Sequence, residues 1–186
     1  IIDIGAYEAC NPPAQPSTIS GSPSPCQGSS QVYSVTNVAG ITYTWTVPSG
    51  STITSGQGSN SITVTIGATS GNISVTPSNS CGNGTARTLA ITVNTVPAQP
   101  STITGSPSPC QGSSQVYSVT NVSGVTYTWT VPAGSTITNG QGTNSITVSI
   151  GATSGNISVT PSNSCGNGTA QILAVTVDYV TANAGT

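Results

Sequence analysis

The chain has 186 residues, but only Asp3, Glu8, Arg87 and Asp178 are charged, and it contains no lysine and no histidine. A single arginine cannot neutralise the phosphates of a nucleic acid or form a polybasic contact with a membrane surface. No stretch approaches the roughly 18 apolar residues that span a bilayer. The composition therefore excludes nucleic-acid binding and predicts no direct insertion into a membrane.

The first nine residues share no sequence with the rest of the chain. The segment Asp3–Glu8, D-I-G-A-Y-E, resembles the ending of right-handed parallel β-helix domains of large secreted bacterial surface proteins. This resemblance implies that residues 1–12 are the tail of an upstream domain and a linker. The amino terminus lacks the charged region and apolar core of a signal peptide, so we expect a mature or internal segment.

The strongest signal is an internal repeat with a period of 84 residues. Residues 13–96 align with residues 97–180 without a gap, and the two copies differ at twelve positions. Such neighbouring repeats are typical of longer arrays. We therefore predict one module at 13–96, a second at 97–180, and the start of a further module or a linker at 181–186.

Turns rich in glycine, proline and serine divide the first repeat into seven short segments with the alternation of β-strands. No segment has a sustained helical period. The alternating apolar residues provide an inward face, so we predict an all-β fold in which each repeat is an antiparallel two-sheet sandwich of about seven strands. The predicted strands are Ser17–Ser20, Gln31–Asn37, Thr42–Val47, Thr52–Thr54, Ser61–Ile66, Gly71–Thr76 and Arg87–Val93.

The segment Tyr43–Pro48, Y-T-W-T-V-P, predicts the central strand of the sandwich. Tyr43 and Trp45 fall on one face and two threonines fall on the other. The pattern returns in the second repeat with Tyr127 and Trp129. An inward tryptophan in a small sandwich is more often a core residue than a sugar-stacking surface, so we assign these four aromatic residues to the two cores.

The five cysteines lie too far apart in sequence for a zinc site. The spacing between Cys26 and Cys81 equals that between Cys110 and Cys165, which predicts one disulfide within each module: Cys26–Cys81 and Cys110–Cys165. Cys10 has no counterpart in the second repeat, so we expect it to be unpaired or to pair with upstream sequence. Disulfides imply an oxidising, extracellular compartment.

Several motifs follow one another in the same order in both repeats. In the first repeat they are C-x-G-x-x-x-x-Y at Cys26–Tyr33, Y-T-W-T-V-P, G-x-x-S-I-T-V at Gly58–Val64, and S-x-x-C-G-x-G ending at Gly84. Together they resemble the PKD-like, immunoglobulin-type modules of secreted Bacteroidetes proteins. The resemblance implies an extracellular spacer, adhesin or substrate-presenting role rather than a reaction.

The chain offers little chemistry for catalysis. No histidine and no nearby carboxylate is present to activate a serine or threonine, so we predict no enzyme activity, no catalytic residue and no cofactor. Each module also lacks the several carboxylates that calcium prefers, so we predict no metal site.

Three functions remain. The first hypothesis is a disulfide-stapled stalk or spacer in a cell-surface adhesin. The second is a binding module whose inter-strand loops, Ser55–Gly58 and 140–142, recognise surface glycans, proteins or other cells. The third is a subunit that associates with its own kind into an extracellular fibre through uncharged strand edges.

Overall fold

The computed structural model describes residues 10–179 and divides the chain into two compact units, Ile1–Thr95 and Val96–Thr186. The predicted β-helix ending at residues 3–8 and the predicted start of a further module at 181–186 lie outside the described residues.

Seven strands form the first unit within the described residues. β2 (Thr42–Thr46) carries the alternation T-Y-T-W-T, in which Tyr43 and Trp45 are buried and the threonines are exposed. In β1 (Ser30–Ser34), S-Q-V-Y-S, Tyr33 is buried and Val32 is 58% exposed. The strands are β1 (Ser30–Ser34), β2 (Thr42–Thr46), β3 (Thr52–Ser55), β4 (Ser61–Thr65), β5 (Gly71–Asn79), β6 (Gly82–Asn83) and β7 (Arg87–Ile91).

These strands form two antiparallel sheets. The three-stranded sheet has the order β1-β4-β3, and the other sheet is built around β5, with β2 on one side and β6 and β7 in succession on the other. The register places Trp45 opposite Val75 and Tyr43 opposite Pro77. A register shift between Ile53 and Ser55 marks an irregularity in β3.

The second unit repeats this architecture. Its strands are β8 (Ser114–Ser118), β9 (Thr126–Thr130), β10 (Thr136–Asn139), β11 (Ser145–Ser149), β12 (Gly155–Asn163), β13 (Gly166–Asn167) and β14 (Gln171–Val175). One sheet has the order β10-β11-β8. The other is built around β12, with β9 on one side and β13 and β14 on the other.

A single apolar core lies between the two sheets of each unit. In the first unit Trp45 is 2% exposed and lies among tyrosine, valine and isoleucine side chains from both sheets. Among the described residues, no buried side chain is polar or charged apart from the aromatic hydroxyl and indole groups. The core of the first unit consists of Ile19, Tyr33, Val35, Tyr43, Trp45, Ile62, Val64, Ile66, Ile73, Val75 and Ile91.

The outer faces of the sheets are hydroxyl-rich. Thr42, Thr44 and Thr46 point away from the core on β2 and lie opposite the serine and threonine residues of β5. Side-chain hydroxyls therefore replace charges as the groups that hydrate this surface.

The predicted all-β class of two tandem sandwiches with about seven strands each is confirmed. The prediction differs in detail at the ends of the sheets. Ser17–Ser20 is not a strand and contributes one isolated bridge, Ser20 to Ser34. β5 continues to Asn79, three residues beyond the predicted end, and turns into the short β6.

No helix within residues 10–179 has the length and apolar character required to cross a membrane.

Candidate functional site: cysteines, edges and ends of each unit

The aromatic residues assigned to the core are buried in the structure. Tyr43, Trp45, Tyr127 and Trp129 are each 2% exposed. The Trp45 indole Nε1–H donates to the Ser59 carbonyl oxygen at 2.8 Å, and Trp129 makes the same bond to Thr143. These rings are therefore not placed to stack on a sugar at the surface.

The tyrosine hydroxyls are also bonded within each unit. The Tyr43 hydroxyl accepts from the Val38 N–H at 2.9 Å and donates to the Thr36 carbonyl at 3.3 Å. The Tyr33 hydroxyl donates to the Ser22 carbonyl at 3.0 Å. These bonds attach the loops before β1 and β2 to the core, so the aromatic residues stabilise the shape of the surrounding loops.

Burial raises the pKa of the Tyr33 and Tyr117 hydroxyls. A tyrosine is uncharged while protonated, so a raised pKa means that the folded chain holds this proton more tightly than the unfolded chain does. The resulting stability is fully present below the unfolded pKa of about 10 and is lost as the pH rises through the folded pKa.

We therefore expect the thermal midpoint to stay within about 5 °C between pH 5 and 8 in non-reducing buffer, and to fall above pH ~10. Calorimetry across this range measures both. The double variant Tyr33→Phe with Tyr117→Phe is the control. It lacks the two titrating hydroxyls, so its thermal midpoint should fall less above pH ~10 than that of the wild type. A midpoint that drops between pH 5 and 8 would contradict the expectation.

The Ser55–Gly58 loop, proposed from sequence as a binding loop, is used internally. The Gln57 side chain accepts a hydrogen bond from the Trp45 N–H at 2.9 Å and donates one to the Trp45 carbonyl at 2.9 Å. Next to it, Tyr43 and Gly58 exchange two backbone bonds. The Gln57 amide thus occupies the edge of β2 as the peptide group of a further strand would.

The glycine before Gln57 is required by the turn. Gly56 has φ +86°, and a Cβ there would collide with the Ser61 carbonyl oxygen. The second unit has the same arrangement: Gln141 bonds to both backbone groups of Trp129, and Gly140 has φ +87°. Sequence alone gave no sign of this pairing beyond the recurrence of G-Q-G after the tryptophan strand.

Replacing Gln57 with alanine is expected to lower the free energy of unfolding of the first unit by about 1–3 kcal/mol, because two partly buried backbone groups of Trp45 lose their partners. The freed edge of β2 should also raise concentration-dependent association. Chemical denaturation and analytical ultracentrifugation measure the two effects. Gln27→Ala is the control, because the Gln27 side chain is exposed; equal stability of both variants would contradict the expectation.

The predicted disulfides are wrong. Cys81 is bonded to Cys10, with a Cα–Cα distance of 5.2 Å, so the Cys26–Cys81 bond is not formed and Cys10 is neither unpaired nor paired upstream. Cys110 is free and exposed, so the Cys110–Cys165 bond is not formed either. Cys26 and Cys165 are both engaged.

The reason lies in the direction of the strands. Cys26 lies beside Asn94, just beyond β7, and Ile91 at the end of β7 pairs with Gly71 at the start of β5. Cys81 follows the other end of β5. A strand of nine residues spans about 27 Å at roughly 3.4 Å per residue. A disulfide requires Cα atoms within about 7 Å, so Cys26 and Cys81 cannot pair.

Each unit has two opposite ends, the turn end and the exit end. The turn end contains the β5–β6 turn with Cys81 in the first unit and the β12–β13 turn with Cys165 in the second. The exit end contains Cys26 and Asn94 in the first unit and Cys110 and Asp178 in the second.

The incoming segment, residues 10–16, is held against the first unit by more than its disulfide. Asn79 donates from its side-chain amide to the Asn11 carbonyl at 3.0 Å, and Gln15 donates to the Ala86 carbonyl at 2.8 Å. The Arg87 Nε–H donates to the Pro16 carbonyl at 3.2 Å. The one basic residue of the chain thus binds the backbone of this segment.

An apolar groove of about 210 Å³ lies at the turn end of the first unit. Val38, which is 56% exposed, forms part of its wall. The groove is also lined by Pro13, Pro16, Ile41, Tyr43 and Pro77. The groove has no charged side chain among its lining residues, so it suits an uncharged or apolar ligand rather than an ionic one.

Within residues 10–179 there is no group of three or more His, Cys, Asp or Glu side chains that suits a metal ion. The same part of the chain contains no buried side-chain nitrogen or oxygen without a hydrogen-bond partner. The polar atoms that are buried therefore serve the fold, and the surfaces that remain for interaction are the groove, the strand edges and the exit ends.

The topology and the paired sheets define the class: each unit is an immunoglobulin-like β-sandwich. The sequence profile of the PKD-like domain matches residues 12–91 and 96–175. The chain therefore belongs to the PKD-like domain family.

Solved structures with similar architecture come from proteins of several kinds. An I-band fragment of titin is 14% identical with a TM-score of 0.47, and 91% of this chain covers 65% of it. The Escherichia coli adhesin FdeC is 19% identical with a TM-score of 0.47, covering 87% and 63%. Drosophila OTK extracellular domains 3–5 are 13% identical with a TM-score of 0.49, covering 87% and 62%.

The chain thus spans 62–65% of the length of these three solved chains. No curated protein matches the sequence.

Proposed function

We propose that the chain is a non-catalytic repeat segment of a large secreted or cell-surface protein, in which it acts as a disulfide-stapled stalk or spacer of an adhesin. Residues 13–96 and 97–180 are the repeated modules, residues 1–12 are the tail of an upstream domain such as a β-helix, and 181–186 begin a further module or linker. The motifs resemble those of Bacteroidetes surface proteins, and we assign the chain to that setting.

One observation carries this proposal: the side chains best suited to a ligand are either buried in the core or hydrogen-bonded to a strand edge of their own unit. Trp45 is 2% exposed and bonded to Ser59, and the Gln57 amide is bonded to the backbone of Trp45. The second unit repeats both arrangements with Trp129 and Gln141. Duplicating a unit in this way adds length without adding a site.

The disulfide supports an extracellular location. Disulfides persist in oxidising compartments and are rare in the cytosol. The Cys10–Cys81 bond fixes the incoming segment to the turn end of the first unit, which is where a stalk transmits load from the preceding part of the chain.

A glycan array tests the stalk proposal. The chain, labelled at its amino terminus, is applied together with a known sugar-binding protein as the positive control. A stalk gives no signal above background on any glycan. Saturable binding to one glycan class would overturn the stalk as the sole function.

The second candidate is a binding module, and the apolar groove at the turn end is the observation that favours it. A partner protein that inserts an apolar side chain, or an uncharged glycan face, fits its proline-rich walls. Val38→Asp is the matched variant, because Val38 is 56% exposed and outside the core. Binding that is lost in Val38→Asp and kept in Val32→Asp, a 58% exposed valine elsewhere, would support this candidate.

The third candidate, association into a fibre, uses the free edge of β3. This edge is only four residues long and is interrupted by the register shift, and the β2 edge is occupied by Gln57. Sedimentation of the chain as a monomer at high concentration would count against it.

A further inference from the structure

Cys110 is the one cysteine of the described chain that is free, and it is exposed at the exit end of the second unit. The chain contains five cysteines. Cys10 and Cys81 are bonded to each other, and Cys26 and Cys165 are both disulfide-bonded. Any disulfide partner of Cys110 therefore comes from outside these four residues.

The matching cysteine of the first unit shows what this position does. Cys26 and Cys110 are equivalent under the 84-residue repeat, and their backbone surroundings agree. The Gln27 backbone N–H donates to the Asn94 carbonyl at 2.8 Å, and the Gln111 backbone N–H donates to the Asp178 carbonyl at 3.0 Å. Cys26 is disulfide-bonded, so the exit-end position is one at which a cysteine forms a disulfide when a partner is supplied.

The nature of the partner follows from the repeat and the Cys10–Cys81 bond. Two repeat periods of 84 residues separate Cys10 from Asp178. Asp178 therefore precedes a module that follows the second one at the same position at which Cys10 precedes the first module. In the first module the turn-end Cys81 lies 5.2 Å, Cα to Cα, from Cys10. Cys110 is the bridge neighbour of Asp178, and paired strands lie about 4.8 Å apart. A turn-end cysteine of a following module and Cys110 would thus flank the same residue.

We propose that Cys110 is a covalent attachment site for the turn-end cysteine of a further PKD-like module. The two thiols lose one proton each and one S–S bond forms between the sulfurs. The two electrons and two protons pass to oxidised glutathione or a protein disulfide, whose S–S bond breaks to give two thiols. The inference goes beyond a spacer role, because each added module would be joined to the array by a disulfide as well as by the peptide chain.

The test first counts thiols in the chain itself. Denatured in non-reducing buffer after refolding in a glutathione redox buffer, the 186-residue chain should titrate one thiol with Ellman's reagent, and Cys110→Ser should titrate none. A wild-type chain with no titratable thiol overturns the proposal.

The decisive variant inserts a further copy of residues 97–180 between residues 180 and 181. If Cys110 pairs with the turn-end cysteine of the added copy, one thiol remains, that of the added copy's own exit end. If none of the three remaining cysteines pairs, three thiols remain; if the two cysteines of the added copy pair with each other, one thiol remains, that of Cys110, and the next variant distinguishes this case. Cys110→Ser in this extended chain should leave two thiols; a count of zero would show pairing within the added copy and overturn the proposal.

Two further readouts separate other fates of Cys110. A disulfide-linked dimer on a non-reducing gel would place Cys110 against a second copy, and a glutathione adduct in the intact mass would show a capped thiol; either overturns the proposal. Thermal unfolding of Cys110→Ser confirms that the variants fold. The count does not depend on ligand binding, so its failure is distinct from failure of the stalk proposal.

Discussion

Replacing Trp45 with alanine is expected to lower the free energy of unfolding of the first unit by about 3–5 kcal/mol, the largest effect of any single core substitution in this unit. Trp45 is 2% exposed and is the largest side chain in its core. Its removal leaves a cavity between the two sheets and deprives the Ser59 carbonyl of its donor. A domain of this size has a total stability of about 5–15 kcal/mol, so the loss is a large part of it.

Hydrogen exchange measured by mass spectrometry assigns the effect to the first unit. Peptides that contain Arg87 differ from their counterparts with Gln171, so exchange of β7 is read separately from that of β14. Thr44→Ala is the matched control, because Thr44 points outward from the same strand and its substitution should change stability by less than about 0.5 kcal/mol. A Trp45→Ala chain whose β7 protection equals that of Thr44→Ala would show that the core does not depend on the ring.

This substitution can be chosen from the sequence alone, because a period of two is enough to identify the inward face of a strand. Tyr43 and Trp45 alternate with threonines, and the structure buries both rings. The strand positions were likewise predictable wherever a turn punctuated an alternating run. Ser17–Ser20 was predicted wrongly because its residues favour extended backbone while only one bridge, Ser20 to Ser34, is available there.

The disulfides and the edge contacts were not predictable in the same way. Equal spacing between cysteines fixes their separation along the chain but gives no information about which end of the sandwich each reaches. The direction of β5 decides at which end each cysteine lies, and the length of β5 separates Cys26 from Cys81. The role of Gln57 depends on a side chain meeting the backbone of another strand, and a long-range pairing of this kind leaves no period in the sequence.

The binding surface predicted from the sequence differs from the surface that the structure offers, again because contacts between residues distant in sequence decide it. The Ser55–Gly58 loop was proposed as a recognition loop because glycine-rich turns are exposed, yet the side-chain amide of its exposed glutamine is bonded to the Trp45 backbone at the edge of β2. The groove at the turn end forms only when the incoming segment, with Pro13 and Pro16, lies beside Val38 and Tyr43. Residues distant in sequence create it, so no local pattern indicates it.

Removing the Cys10–Cys81 bond with the double variant Cys10→Ser and Cys81→Ser is expected to lower the free energy of unfolding by about 4 kcal/mol. The bond joins residues 71 apart. In the chain-entropy account, closing a loop of that length restricts the unfolded chain by about 4 kcal/mol, within the 2–5 kcal/mol typical of native disulfides in small secreted domains. Changing both cysteines avoids leaving a new thiol that exchanges with the remaining disulfides.

Cys110→Ser is the matched control, because this thiol is free and exposed and its loss should change stability by less than about 0.5 kcal/mol. Chemical denaturation in non-reducing buffer measures the stability of all three chains. Reduction of the wild type is not equivalent, because it also opens the bonds of Cys26 and Cys165.

The incoming segment has other attachments to the first unit, which are the hydrogen bonds from Asn79 to Asn11, from Gln15 to Ala86 and from Arg87 to Pro16. If the double variant keeps its stability within about 1 kcal/mol of wild type, these hydrogen bonds hold the segment without the disulfide, since each contributes about that amount. The larger loss would instead show that the covalent bond restricts the unfolded chain, which is the property that the proposed stalk role requires where the incoming segment meets the first unit.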